Sequence, residues 1–543
     1  MADIHGTCDE RFAQVQEVLS DNLDAGNDLG ASVAVQIGGE TVVDIWGGHV
    51  DQDQTVPWER DTIINVWSTT KTMAALCCLI LADRGEVDLH APVATYWPEF
   101  AAAGKADIAL AHFLSHTSGL SGWSEPLSTA DLYDWEKATS LLAAQEPWWE
   151  PGTASGYHAI TQGYLIGEVV RRVTGQSIGS FLAAEVAGPL GADFHIGTPA
   201  SCDSRVAPVI PPPPMTELLS TLDPSTTAAR TFGNPALDAG TSYDVAWRRA
   251  EIPAANGHGN ARSVATIQSV LACGGEMNGV RLLSEEGCQA VLEERSNGTD
   301  LVLGVPIRFG MGYGLAGDLM PLGPRAAFWG GWGGSLVIAD MDAKLVIAYV
   351  MNRMGSGLVG DLRGGGLAMA AFAAALRAPS AGYSQGYGLL VLTEKSDRER
   401  FWQSQPPTEG GGGWDPAVRA AIERAPILVV ALASKNAYLD RYARPDKGWA
   451  DRDESRWPVP YWHVDTGFLC LLMLLAAVDE GLGALLFGLI PADIPAFREA
   501  FGVPEDQDPV GCVAIGHEDP SAPRRDLRSR RRPPEDLVHR GRW

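Results

Sequence analysis

Nowhere among the 543 residues is there an uninterrupted apolar stretch of the roughly 18 to 20 that a membrane helix needs. The longest, from Gly467 to Val478, runs straight into Asp479 and Glu480 and reads as a buried helix. Basic residues are also scarce. The 41 Lys and Arg stand against 67 Asp and Glu, and the formal charge of -26 repels nucleic acid and anionic membrane surfaces. Met1 to Glu10 carry neither a basic nor an apolar leader, which places the protein in the cytoplasm. The eight cysteines offer no CxxC spacing, the one close pair being Cys77-Cys78, so they read as reduced core thiols. With 45% apolar and 20% charged residues the chain has a globular composition, and its length predicts two to four domains at roughly 100 to 200 residues each.

What is present begins with strands. Two β-branched runs flank Gly38-Gly39 between Gly30 and Val50, a hairpin pattern, and Ser335 to Ala339 and Leu345 to Val350 flank the turn Asp340-Met341-Asp342. These predict one antiparallel sheet. Helical stretches at Thr69 to Arg84, Gln162 to Thr174 and Ser263 to Cys273 lie between the two strand sets. An Ala-rich helix past Gly366 is stopped by Pro379, which sets a domain boundary at 376/377. The remainder predicts α+β, with strands at Gly386 to Leu392 and Pro426 to Ala433 and helices around Thr466 to Glu480 and Ile494 to Phe501.

The sharpest chemical motif is Ser68-Thr69-Thr70-Lys71 at the start of an apolar helix. Spacing of i, i+3 puts both side chains on one helix face, and a free serine needs a neighbouring base, which a lysine of lowered pKa supplies. The motif follows the β-like Thr62 to Trp67. Tyr157-His158-Ala159 comes after the turn Pro151-Gly152-Thr153, and Trp329-Gly330-Gly331 leads into Trp332-Gly333-Gly334-Ser335. Two other patterns are set aside. Gly382-Tyr383-Ser384-Gln385-Gly386 matches G-x-S-x-G, but a strand follows its serine where a nucleophile elbow needs a helix. His112 and His116 lack the glutamate of HExxH, so no metal is expected.

With Leu114-Ser115-His116-Thr117-Ser118-Gly119-Leu120 and Phe309-Gly310-Met311-Gly312-Tyr313-Gly314, these motifs make residues 12 to 376 resemble the serine β-lactamase and penicillin-binding-protein superfamily. The likeness is to its class C-like branch and the family VIII carboxylesterases. It implies a β-lactamase-like antiparallel sheet flanked by helices, with a helical insertion. It also implies Ser68 as the acylated nucleophile, Lys71 as its base or electrostatic support, and Tyr157 as the proton shuttle to the leaving group. The backbone amides of Ser68 and Trp332 would form the oxyanion hole, and Trp329 stands where β-lactamases have the lysine of Lys-Thr-Gly. Losing that cation, and having Ala159 where the branch often has Asn, favours esters over β-lactams and amides.

Residues 377 to 543 resemble the nitroreductase family through Arg377 to Gly386, Asp465-Thr466-Gly467, Gly481-Leu482-Gly483 and the terminal His539 to Trp543. The resemblance implies an α+β domain that pairs as a homodimer and holds FMN. The positions matching flavin contacts are Pro379, Ser380, Ser384 and Gln385, with Arg540 and Arg542 for the phosphate. The usual N-terminal arginine-rich segment is missing, with only Arg363 and Arg377 nearby. The sequence thus reads as a hydrolase of small carboxylic esters fused to a nitroreductase-like domain. The alternatives are a bifunctional or primarily FMN-dependent, nitroreductase-like oxidoreductase, or a β-lactam or amide hydrolase with a structural C-terminal domain.

Overall fold

The chain divides into two compact units, Met1–Leu376 and Arg377–Trp543. The computed structural model describes residues 2–212, 222–317, 320, 322–361, 363–367, 381, 384, 386–392, 395–406, 416–444, 447–479 and 483–516. The expected Ala-rich helix beyond Leu367, the Gly410 to Gly413 segment and the arginine-rich C-terminus lie outside these residues.

The first unit is built on a nine-stranded sheet. Its strands are β1 (Ile4–Cys8), β2 (Gly30–Ile37), β3 (Glu40–Gly48), β4 (Ser296–Thr299), β5 (Pro306–Phe309), β6 (Gly314–Leu315), β7 (Ala326–Gly330), β8 (Leu336–Asp340) and β9 (Leu345–Met351). They lie in the order β1-β3-β2-β9-β8-β7-β6-β5-β4. The β2–β9 pairing, with Ala34 opposite Ala348, joins the N-terminal hairpin to the late strands as the sequence predicts. Every residue of β9 is buried, because helices cover the sheet and a strand wet on neither face reads as a continuous apolar run.

Helix α1 (Thr70–Asp83), which carries Lys71, packs against α2 (Thr161–Thr174), and α3 (Ala261–Ala272) packs on β2, β8 and β9. Helix α1 is buried from Thr70 through Leu81, and its apolar side chains encircle it as expected for a helix sealed on all sides. The stretch Thr62 to Trp67, expected to be β-like, forms only a two-residue strand, Ile64–Asn65. The chain leaves the strand there because Trp67 takes a positive φ of 47°, a conformation costly for a bulky residue. That bend turns the chain sharply into the helix carrying Ser68.

The second unit contains a four-stranded antiparallel sheet of β10 (Tyr387–Leu392), β11 (Ile427–Ala433), β12 (Gly483–Phe487) and β13 (Asp508–Gly516), in the order β10-β11-β13-β12. The strands β12 and β13 were not foreseen. Helix α4 (Tyr461–Asp479) contacts this sheet, but it is not the buried helix expected. Cys470 is sealed against the sheet, while Phe468, Leu471, Leu472 and Leu475 are 47, 50, 47 and 56% exposed. An apolar run fixes no face when its residues are apolar on all sides, so sequence could not separate the sheet side from the open side. Among the described residues no helix is long and apolar enough to cross a membrane.

Candidate active site

Ser68 occupies the first turn of the helical segment entering α1, where backbone amides have no intrahelical acceptor. Its Oγ accepts a hydrogen bond from Tyr157 Oη at 2.6 Å and lies 3.1 Å from Lys71 Nζ. Lys71 donates to the carbonyls of Ala159 at 2.7 Å and Ala254 at 2.9 Å, so its nitrogen is held by three oxygens, none of them charged. Full burial without a counter-ion pushes the Lys71 pKa well below the usual lysine value. Burial pushes the Tyr157 phenol the other way, above its usual value. The lowered amine pKa favours a neutral Lys71, whose two N–H groups then serve the Ala159 and Ala254 carbonyls and whose lone pair faces the Ser68 hydroxyl, beside a phenol that keeps its proton. Such an arrangement can take a proton at one group and give one at the other.

Asp300 and two histidines set the loop carrying Tyr157. Asp300 Oδ1 accepts from the amides of Tyr157, Val302 and Leu303 at 3.0, 2.9 and 2.9 Å. The His158 amide donates to His116 Nδ1 at 3.0 Å, and the His158 ring bonds Ser118 Oγ and the Gly156 carbonyl, both at 2.6 Å. Burial keeps both imidazoles neutral, with the His158 pKa lowered to about 3. The Leu-Ser-His-Thr-Ser-Gly stretch is therefore a support behind Tyr157. Phe309 to Gly314 acts similarly on α1: the one proton of Tyr313 Oη is shared between Gln268 Oε1 at 2.9 Å and the Thr72 carbonyl at 3.0 Å.

The strand end after Trp329 lies against the nucleophile. A Cβ on Gly331 would sit 2.4 Å from the Val66 carbonyl and 3.2 Å from the Ser68 amide, so only glycine permits this approach. Ser335 Oγ meets Thr69 Oγ1 at 2.9 Å and donates to the Val66 carbonyl at 2.8 Å, fastening the start of β8 to the turn before Ser68. The amides of Gly331, Gly333 and Gly334 are all spent on backbone carbonyls, whereas the Trp332 amide has no acceptor among the described residues. Trp329 is placed differently from Trp332. It is sealed behind Tyr157, ring centroids 5.4 Å apart, and is absent from the cavity wall.

Ser68 opens into a cavity of about 50 Å³ walled by Trp67, Ile160, Phe232, Leu237, Trp332 and Leu358, and among the described residues no charged side chain lines it. Phe232, Asp300 and the Ala254 carbonyl escaped the sequence reading. No motif announces a residue whose role is set only by where distant loops meet.

The family model described as Beta-lactamase matches residues 15–372. The chain belongs to the Beta-lactamase family. Residues 367–517 match the Nitroreductase family. Within the Beta-lactamase family the chain is 36% identical over 368 residues to Esterase/beta-lactamase LipL of Mycobacterium tuberculosis, a match covering 66% of this chain and 84% of that protein. It is similar to the crystal structure of a family VIII carboxylesterase, at 43% identity and a TM-score of 0.64, covering 68% of this chain and all of that one. A penicillin-binding-protein homologue from Caulobacter crescentus matches with the same coverage and TM-score at 39% identity. The first unit is thus a Beta-lactamase-family domain of the serine hydrolase superfamily.

Asp193, His195 and Cys202 cluster, but Arg205 donates to both Asp193 and Cys202, placing a cation where a metal would sit. In the second unit, Pro379, Ser380, Gln385, Arg540 and Arg542 lie outside the described residues. Ser384 is described, and its hydroxyl donates to the Ala381 carbonyl at 2.7 Å. Asp465, at the matching Asp465-Thr466-Gly467, accepts from the Ala381 amide at 2.8 Å and the Tyr438 hydroxyl at 2.7 Å. Of the positions expected to contact FMN, only Ser384 is among the described residues.

Proposed function

We propose that the first unit hydrolyses small, uncharged carboxylic esters through a Ser68 acyl-enzyme. The observation that carries this is the meeting of Lys71 and Tyr157 on one Ser68 oxygen at the mouth of a mainly apolar cavity whose described lining carries no charge. Ser68 Oγ attacks the ester carbonyl and passes its proton to neutral Lys71. The amides of Ser68 and Trp332 bind the oxygen on which negative charge develops. Collapse breaks the bond to the alkoxy oxygen, which leaves as alcohol with the Tyr157 proton, and Lys71 returns a proton to Tyr157. Water then attacks the acyl carbon by the same route, releasing the acid. Trp329 serves as the packing wall that holds the Tyr157 ring. The cavity supports esters over β-lactams, whose carboxylate would find no cation among the described lining residues. The names of the relatives, an esterase/beta-lactamase and a family VIII carboxylesterase, support the same class. The test is hydrolysis of p-nitrophenyl acetate and butyrate by the wild type and Ser68→Ala. Loss of at least about 1,000-fold in kcat supports the reading, and retained activity overturns it.

For the second unit we propose a homodimer through α4. Phe468, Leu471, Leu472 and Leu475 recur at helical spacing and are about half exposed, and a contiguous apolar face of this kind marks an association surface. Light scattering on the wild type and on Leu471→Glu/Leu475→Glu checks it. A dimer that the double substitution converts to an active monomer is expected, and a monomeric wild type contradicts it.

A further inference from the structure

The glycine-rich run after Trp329 is packed beneath a strap, residues 355–361, whose anchor is Arg363. We propose that Arg363 is a positioning residue that aims the Trp332 amide at the developing oxyanion. The inference rests on the Ser68 reading above.

The Gly331 carbonyl and the Trp332 amide belong to one planar peptide unit, so fixing the oxygen fixes where the hydrogen points. That carbonyl accepts from the Gly334 amide at 3.1 Å and from the Gly360 amide, on the strap, at 3.2 Å. On the other side of Trp332, the Gly333 amide donates to the strap's Gly357 carbonyl at 2.8 Å. The Gly333 carbonyl accepts from the Gly355 amide at 2.7 Å and from Arg363 Nη2 at 2.6 Å.

The strap is closed through Asp361. Its Oδ1 accepts from the Arg363 amide at 3.0 Å, and its Oδ2 from Arg363 Nε at 2.9 Å and from Nη2. Arg363 Nη1 donates to the Asn27 carbonyl at 3.0 Å, Asp28 Oδ1 at 2.8 Å and the Arg353 carbonyl at 2.8 Å. One planar guanidinium therefore joins the glycine loop, the strap and the residues leading into β2. A lysine, with three donors on one point, cannot meet so many separated acceptors.

The glycines themselves record the strap. A Cβ on Gly330 would lie 2.5 Å from the Gly360 amide nitrogen, and one on Gly334 would lie 2.7 Å from both Arg363 Nη2 and Asp361 Oδ2. Glycine stands at these positions because the strap and its arginine press directly on the loop.

The experiment uses the full chain with Arg363→Met and Arg363→Lys. It measures kcat and KM on p-nitrophenyl acetate, the inhibition constant of methylboronic acid, and the thermal midpoint. Ser68 Oγ adds to the boron to give a tetrahedral anion, so its affinity reports the oxyanion site without an ester. A fall of at least about tenfold in kcat, with KM changed less than about threefold and boronate affinity falling by a similar factor, is expected of a folded variant. If Arg363→Met does not fold, Arg363→Lys, which keeps the charge, carries the test. A folded variant with wild-type kcat and boronate affinity overturns the proposal, as does a loss confined to KM. Full activity in Ser68→Ala would overturn the acyl-enzyme reading itself, whereas inactive Ser68→Ala beside fully active Arg363 variants overturns only the role of Arg363.

Discussion

Tyr157 Oη donates to Ser68 Oγ at 2.6 Å, the shorter of the two hydrogen bonds that meet on the nucleophile. Because burial holds the phenol protonated, Tyr157 is placed to give a proton rather than to begin by taking one. Tyr157→Phe keeps the ring packed on His116 and Trp329 and removes only that proton. The expected result is a kcat lower by about 100- to 10,000-fold, with little change in KM or thermal midpoint. Steady-state kinetics with an alkyl ester, whose alcohol leaves poorly, is the sensitive assay, and p-nitrophenyl esters should suffer less.

Lys71 has to be neutral to act as base, and burial lowers its pKa well below the usual 10.5. The rising limb of kcat/KM against pH should therefore lie well below that of an ordinary lysine. In Lys71→Arg, which stays charged, that limb should vanish along with most of the rate. Rate measurements from pH 5 to 10 on both proteins check this.

The two buried histidines give the fold an acid sensitivity. His158 resists protonation until about pH 3 in the folded chain, while the unfolded chain binds that proton near 6.5, so the unfolded state holds more protons between these values. Stability is then complete above about pH 6.5 and is lost as the pH falls toward 3, by up to about 4 kcal/mol for this one group. Denaturant unfolding of the wild type and His158→Asn at pH 4 and 7 should show a smaller pH difference in the variant, even if the variant is less stable at both.

Charge selectivity follows from a cavity whose described lining carries no charge. An ester bearing a carboxylate on its acyl chain should be hydrolysed with kcat/KM at least about tenfold below its uncharged isostere, since the carboxylate would leave bulk water for a mainly apolar lining that offers no cation among the described residues. Matched p-nitrophenyl esters provide the comparison, and equal rates would mean that a cation reaches the site.

Much of this site was legible because its parts are local. Ser68 and Lys71 sit three apart on one helix, and Tyr157 and Trp332 lie in short stretches with turn residues around them. The β2–β9 pairing that closes the sheet could be anticipated from two hairpins rich in β-branched residues. Less legible were groups acting across long sequence separations. Asp300 supports Tyr157 over 143 positions, and Arg363 reaches Asp28 over 335. Nothing in the repeated glycines of Trp329 to Gly334 names the strap that packs on them. Helix α4 misled for a different reason: composition reports apolarity, and only the sheet decides which side of the helix it covers.

The central claim is that Ser68 forms a covalent bond to the substrate's acyl carbon. Its most direct test is to treat the protein with an ethyl p-nitrophenyl alkylphosphonate, in which serine displaces p-nitrophenolate, and map the adduct by peptide mass spectrometry. The account predicts one stoichiometric adduct on Ser68, loss of esterase activity in parallel, and no labelling of Ser68→Ala. An adduct on another residue, or inactivation of Ser68→Ala at the wild-type rate, would contradict it.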